Sequence, residues 1–275
     1  MKTAYRWTGC VLLAVVLGAL PVASGAPFLP DFGAATFSAD SSISDHPYFP
    51  LVPGTVYTYE GQEVGNGEAT LTKTFVSFET KEILGVQVRV VRDTEFVDGL
   101  LAEDTRDWFA QDTAGNVWYM GEDTIAFEYD EEGNLIGTST EGSWQAGVDD
   151  ALPGHIMRAN PIVGENYYQE FAPNSGALDQ ATIISLDAAV SIDLGDFADV
   201  LQTLETTELD PDAREFKYYA PGVGLVFIEE DLDEDFANPG FLVELVSVEV
   251  IPAPAALFLV VVGLGAVNWF RRRLR

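Results

Sequence analysis

Cysteine is almost absent from this chain. Cys10 is the single cysteine among 275 residues, and it lies in an N-terminal segment with the features of a cleaved signal peptide, described below. The mature protein would then contain no cysteine, which excludes disulfide bonds, a thiol nucleophile and a cysteine-ligated metal site. The chain is long enough to bury a sizeable core without disulfide bonds.

Histidine and basic residues are also scarce. His46 and His155 are the two histidines, and neither has a second histidine at metal-ligand spacing. Between residues 27 and 250, eight Lys and Arg stand against all 44 Asp and Glu, which gives a net charge of −36. Such a surface repels phosphate backbones, so nucleic acid is excluded as a partner.

The first 26 residues have the layout of a secretory signal peptide. Lys2 and Arg6 precede an apolar stretch at 9–20, and small residues follow at 23–26. The apolar stretch is shorter than the ~20 residues that span a membrane, so an uncleaved transmembrane helix is the weaker alternative. This layout predicts export through the Sec translocon and cleavage by signal peptidase.

The rest of the chain up to residue 250 predicts a leader followed by a β-rich domain. Residues 27–45 lack periodicity, which predicts a flexible leader. Alternating strand patterns fill residues 46–250, and Asp-Gly at 98–99, "DTAGN" at 112–116 and "DEEGN" at 130–134 predict hairpins. We therefore expect a mainly β fold: a single antiparallel β-rich domain, built as a curved sheet, a sandwich or an open barrel, with an N-terminal signal helix and a C-terminal transmembrane helix.

The second half of this domain has a less regular pattern. Strands are predicted at 167–171, 181–186, 215–219, 225–230 and 241–248. The stretch "DLGDFADVLQTLETTELD" at 193–210 could be a strand or one short helix, because its apolar spacing suits either.

No catalytic constellation is visible, so an enzyme is not expected. Ser143 in "EGSWQAG" lies outside a G-x-S-x-G elbow and is better explained as a turn residue. The many carboxylates leave a surface carbohydrate hydrolase open as an alternative. Glu103 with Asp107, or Asp123 with Glu128, are examples of pairs, but glycosidase geometry is a distance in space that spacing does not fix.

Acidic loops make a divalent-cation-dependent binding module a further alternative. The densest cluster is "DLDED", which offers Asp231, Asp233 and Asp235 as calcium candidates. The loops at 112–116 and 130–134 could also supply oxygen ligands. None of these fits the EF-hand pattern, and solvated charged turns explain them as well.

Several blocks of the domain resemble a family of uncharacterised secreted bacterial proteins. They include "YFPLVPGTVYTYEG", "EILGVQVRVVRDTEFVDG", "DWFAQDTAGNVWYMGED", "EGSWQAG" and "KYYAPGVGLV". The resemblance implies a shared β fold and no particular chemistry.

The last 25 residues combine a Pro-x-Pro boundary, an apolar run and a basic end. The arginines Arg271, Arg272, Arg273 and Arg275 would stay in the cytoplasm and the domain outside, by the positive-inside rule. The motif consists of Ile251, Pro252, Ala253, Pro254 and Ala255. With the apolar run and arginines that follow, it resembles the V-P-x-P-A variant of the PEP-CTERM sorting signals of Gram-negative bacteria. A simple membrane anchor is the alternative.

This resemblance implies that an exosortase processes the C-terminus after an inner-membrane intermediate. It also implies a final place at the cell surface or in an exopolysaccharide-rich matrix or biofilm. We therefore expect an exported protein of structural or adhesive function, with exopolysaccharide as a partner.

Overall fold

The computed structural model describes residues 25–65 and 67–253. The predicted signal segment up to residue 24 lies outside the described residues. So do Pro254, Ala255 and the arginines at 271–275. Within the described ranges, no helix is long and apolar enough to cross a membrane.

The described chain is mainly β, as predicted. Its strands are β1 (Thr55–Glu63), β2 (Ala69–Ile83), β3 (Val86–Val97), β4 (Leu100–Gln111), β5 (Val117–Tyr129), β6 (Leu135–Ser139), β7 (Trp144–Gln145), β8 (Leu152–Met157), β9 (Asn166–Tyr168), β10 (Glu170–Phe171), β11 (Asp179–Ile192), β12 (Gly195–Thr207), β13 (Arg214–Ala220), β14 (Gly224–Glu230) and β15 (Phe241–Val250). They form one antiparallel sheet in the order β10-β8-β5-β4-β3-β2-β1-β15-β14-β13-β12-β11-β9, and β6 and β7 also pair with β5.

The sheet curves until it nearly closes as a barrel. Its two end strands, β9 and β10, are consecutive in the chain and only Gln169 separates them. A glycine permits this junction, because a Cβ on Gly154 of β8 would lie 2.3 Å from the Tyr168 carbonyl oxygen and 2.4 Å from that of Gln169. Of the three architectures left open by the sequence, the open barrel is therefore the one formed.

The predicted hairpins are confirmed. Asp98 and Gly99 join β3 to β4 with φ angles of 49° and 84°, as a two-residue hairpin of this type requires. The loop at 112–116 joins β4 to β5, and the loop at 130–134 joins β5 to β6. In both loops the first aspartate accepts hydrogen bonds from backbone N–H groups two and four residues later.

The ambiguous stretch at 193–210 forms a strand and not a helix. It contains all of β12, which pairs with β11 on one side and β13 on the other. Val200 and Leu201 are fully buried. Pairing with two neighbours decides between the two conformations that the apolar spacing allowed.

The predicted leader, 27–45, contains little regular structure but packs against the barrel. It has a short 3₁₀ turn at Phe32–Ala34, and Phe32 and Phe37 contact the Trp118 ring from its edge. Farther along, the Ser42 carbonyl oxygen accepts a hydrogen bond of 2.9 Å from buried Arg89. The leader therefore covers part of the sheet instead of standing apart from it.

Candidate functional site

The space enclosed by the curved sheet, which we call the lumen, is lined by carboxylates. Alternate residues of each strand face it, as Glu103, Thr105 and Asp107 of β4 show. The ten strand carboxylates at the lumen are Asp93, Glu95, Glu103, Asp107, Glu122, Glu170, Asp179, Glu205, Glu215 and Glu230. They come from eight different strands, so the fold and not a local motif brings them together.

Three pairs of these carboxylates lie directly opposite each other on neighbouring strands. They are Glu95 with Glu103, Asp107 with Glu122, and Glu205 with Glu215. Like charges in directly opposed positions destabilise a sheet. Each pair therefore needs a proton, a cation or a hydrogen-bond donor.

The Glu205–Glu215 pair is neutralised by a lysine. The Lys217 ammonium lies 2.9 Å from a carboxylate oxygen of each glutamate. Burial alone would lower the pKa of Lys217, but the charges of Glu205 and Glu215 outweigh it and raise that pKa. Among the described residues, Lys217 is the one basic side chain that forms an ion pair with the ten carboxylates.

The Asp107–Glu122 pair is bridged by a phenol. The Tyr119 hydroxyl lies 2.6 Å from Asp107 Oδ1 and 3.0 Å from Glu122 Oε2. A phenol has one proton and donates one hydrogen bond, so both contacts are satisfied when one carboxyl is protonated. Burial is the main cause that raises the pKa of both carboxyls.

The Glu95–Glu103 pair has no such bridge. Thr105 donates a hydrogen bond of 2.8 Å to Glu103, and no basic side chain of the described residues pairs with either carboxylate. Burial raises the pKa of Glu95, and the Glu103 charge raises it further. Of the three pairs, this one has neither a phenol nor a lysine between its carboxylates.

Proton affinity is raised across both walls of the lumen. Burial raises the pKa of Asp93 to about 6, although a hydrogen bond from Thr74 opposes the shift. On the facing wall, burial and the Glu215 charge raise the pKa of Glu230 to about 7. The lumen therefore takes up or releases protons near neutral pH.

The lumen continues into an apolar cavity. This cavity of about 230 Å³ shares Asp93 and Asp107 with the acidic cavity of about 240 Å³ beside it. Its remaining lining is mostly aliphatic and aromatic and includes Tyr57, Val91 and Phe109. One end of the lumen is thus acidic and the other apolar.

The structure separates the carboxylate pairs considered from the sequence. Glu103 and Asp107 both face the lumen from β4, whereas Asp123 and Glu128 of β5 are exposed and line none of the lumen cavities. Sequence reasoning missed the Asp107–Glu122 pair, because its members meet through strand pairing.

The calcium candidates follow β14 at the rim. The Asp233 carboxylate accepts hydrogen bonds from the Ala237 backbone and the Asn238 side chain, while Asp231 borders the cavity beside Glu230. In the described part of the chain, no group of three or more His, Asp or Glu side chains has a geometry that could hold a metal ion. Calcium binding at Asp231, Asp233 and Asp235 stays a prediction.

Both histidines are buried and have structural contacts. His46 Nε2 lies 2.9 Å from the Arg158 carbonyl oxygen, and its Nδ1 accepts a hydrogen bond from the Tyr48 backbone. His155 packs against Trp118 with ring centroids 4.1 Å apart, and burial lowers its pKa to about 3. Ser143 holds the backbone of Thr124 through two hydrogen bonds.

The sorting motif is described for its first three residues. The Ile251 backbone donates a hydrogen bond of 2.7 Å to the Gly54 carbonyl oxygen, directly after β15 ends at Val250. Ile251 and Pro252 are exposed and Ala253 is half-buried. The tail therefore starts at the surface of the domain.

Comparison with known proteins gives two distant structural neighbours. No protein-family model and no curated protein matches the chain. A protein assigned as a lipoprotein from Parabacteroides distasonis is 12% identical with a TM-score of 0.41, over 75% of this chain and 100% of its own. A protein assigned as exported, with a YmcC-like fold, from Bacteroides fragilis is 14% identical with a TM-score of 0.39, over 74% of this chain and 98% of its own. Similarity at this level supports no assignment of function to this chain.

Proposed function

We propose that this chain is an exported, noncatalytic protein of the cell surface or extracellular matrix that binds cationic ligands in its acidic lumen. We infer cation binding from the three directly opposed carboxylate pairs, because Lys217 neutralises only one of them among the described residues. A positively charged ligand would relieve the repulsion that remains.

Export and sorting rest on the sequence of the two ends. Residues 1–26 have the layout of a signal peptide, and residues 251–275 resemble a sorting signal that an exosortase reads. The exposed start of this tail at Ile251 is compatible with access by a membrane enzyme. Attachment to exopolysaccharide or another matrix component would then follow from the final location.

Intact-mass measurement on protein from its own host tests export and sorting. We expect a mass that lacks residues 1–26 and the arginines at 271–275. Retention of residues 1–26 would contradict cleavage by signal peptidase, and retention of the arginines would contradict processing by an exosortase.

Calorimetric titration with 1,4-diaminobutane tests cation binding in the lumen. The double variant E95Q/E103Q removes the unbridged pair and should weaken binding at least tenfold. The double variant D123N/E128Q removes two exposed charges outside the lumen and serves as the matched control. Equal affinity for the two double variants would refute the lumen as the binding site.

A hydrolase is the second candidate, because one carboxylate pair has a suitable spacing. Asp107 and Glu122 each place an oxygen within 3.0 Å of the Tyr119 hydroxyl oxygen. These two carboxylate oxygens therefore lie within about 6 Å of each other. The separation of the carboxyl groups in a retaining glycosidase falls within this limit. Release of reducing ends from the host's exopolysaccharide, lost in both D107N and E122Q but kept in D123N, would establish this activity. If the native protein releases no reducing ends, the hydrolase candidate is refuted.

A further inference from the structure

The apolar end of the lumen is a cavity with hydrophobic walls and a charged boundary. Val76 and Val91 contribute aliphatic surface, and Tyr57, Tyr59 and Phe109 contribute aromatic surface. All five side chains are at most 8% exposed. The walls therefore favour an apolar group over a hydrated ion.

Asp93 and Asp107 form the boundary between this cavity and the acidic one. Asp93 Oδ1 accepts a hydrogen bond of 2.9 Å from Thr74, and Asp107 Oδ1 accepts one from Tyr119. Asp107 Oδ2 accepts no hydrogen bond from the described residues, so it can accept one from a ligand.

Lys217 also lines the apolar cavity but does not pair with these aspartates. Its ammonium lies 2.9 Å from Glu205 and 2.9 Å from Glu215. Its charge lowers the pKa of Asp93, yet burial keeps that pKa above its usual range. Lys217 therefore forms no ion pair with either aspartate at the boundary.

Size restricts the ligand further. The apolar cavity measures about 230 Å³, below the roughly 300 Å³ at which pockets for drug-sized ligands begin. An anionic ligand would meet the two carboxyl groups of Asp93 and Asp107 at the cavity boundary, and an inorganic cation would leave the apolar walls without contact.

We propose that the apolar cavity binds a small amphiphilic amine. Its aliphatic or aromatic body lies against Val91 and Phe109, and its protonated amine lies between Asp93 and Asp107. This proposal rests on the function proposed above and specifies the class of cationic ligand.

Three probes that share one body and differ in head charge test the proposal. They are 2-phenylethylamine, the neutral 2-phenylethanol and the anionic 3-phenylpropanoate, titrated calorimetrically into the full-length protein at pH 7. We expect the amine to bind at least tenfold more tightly than the alcohol, with a negative heat-capacity change from burial of the ring. We expect no binding of the carboxylate. Equal affinity for amine and alcohol would overturn the proposal.

Isosteric variants locate the amine. D93N and D107N should each weaken binding of 2-phenylethylamine at least tenfold and leave binding of 2-phenylethanol within twofold. D123N, with an exposed charge removed, is the matched control and should bind the amine like the native protein. Unfolding midpoints of all three variants establish that they are folded. If D93N and D107N bind the amine like D123N, the assignment of the site is wrong.

The polar cation 1,4-diaminobutane separates this proposal from the broader one. If it binds in the lumen and 2-phenylethylamine does not, the amphiphilic ligand class is refuted while cation binding stands. If neither binds, both proposals fail.

Discussion

The raised proton affinity of Asp93 predicts an unusual pH dependence of stability. The pKa of this carboxyl is about 6 in the folded chain, against 3.8 for an unperturbed group. Between these two values the folded state binds more protons than the unfolded state, so the free energy of unfolding falls as pH rises. Asp93 therefore stabilises the protein least above pH 6, which is opposite to the behaviour of an ion-paired aspartate.

The substitution D93N isolates this contribution. A difference of one pKa unit corresponds to about 1.4 kcal/mol, so ionisation of Asp93 costs about 3 kcal/mol over the whole range, of which about 2 kcal/mol falls between pH 4 and pH 8. Asparagine can keep the hydrogen bond from Thr74 and does not ionise. The stability of D93N relative to the native protein should therefore increase by about 2 kcal/mol from pH 4 to pH 8.

Urea unfolding at a series of pH values measures this difference. D123N serves as the control, because Asp123 is exposed on the outer face of the barrel, and its stability relative to the native protein should stay nearly constant with pH. The reasoning is refuted if the D93N difference is also flat, or if it decreases with rising pH.

Three further predictions concern other parts of the fold. K217M leaves buried Glu205 without its counter-charge and should destabilise the protein by about 3–5 kcal/mol at pH 8, and by less at pH 5, in urea unfolding. G154A places a Cβ 2.3 Å from the Tyr168 carbonyl oxygen, so it should force the barrel junction apart and lower stability by about 1–3 kcal/mol. Millimolar calcium should raise the melting temperature if the loop at 231–235 binds it, and an unchanged melting temperature would count against that site.

The hairpins could be predicted because their information is local. Asp98 and Gly99 adopt positive φ angles that Asp and Gly tolerate better than most residues, and the aspartates at 112 and 130 cap their own loops. The stretch at 193–210 had no such marker. Its apolar spacing suited two conformations, and pairing with β11 and β13 selected one of them.

The lumen could not be predicted in the same way. Glu122 meets Asp107 only through the register of β4 and β5, and Glu205 meets Glu215 only through that of β12 and β13. One local signal was present: "EDTRD" at 103–107 is polar on both faces of the strand, so that Glu103, Thr105 and Asp107 form a polar stripe on one of them. Such a polar stripe in a central strand indicates a solvated interior, but the facing wall depends on how the sheet closes.

Carboxylates inside the lumen affect the stability of the fold differently from carboxylates outside it. Exposed carboxylates such as Asp123 are screened by water and salt. Ionisation of Asp93 and of Glu230, in contrast, lowers the free energy of unfolding at neutral pH by roughly 3 kcal/mol each. A cationic ligand present at a hundred times its dissociation constant stabilises a folded protein by about 2.7 kcal/mol. This is close to the ionisation cost of one such carboxyl. If the lumen binds a cation as proposed, ligand binding and carboxyl ionisation change the stability of this domain on the same scale.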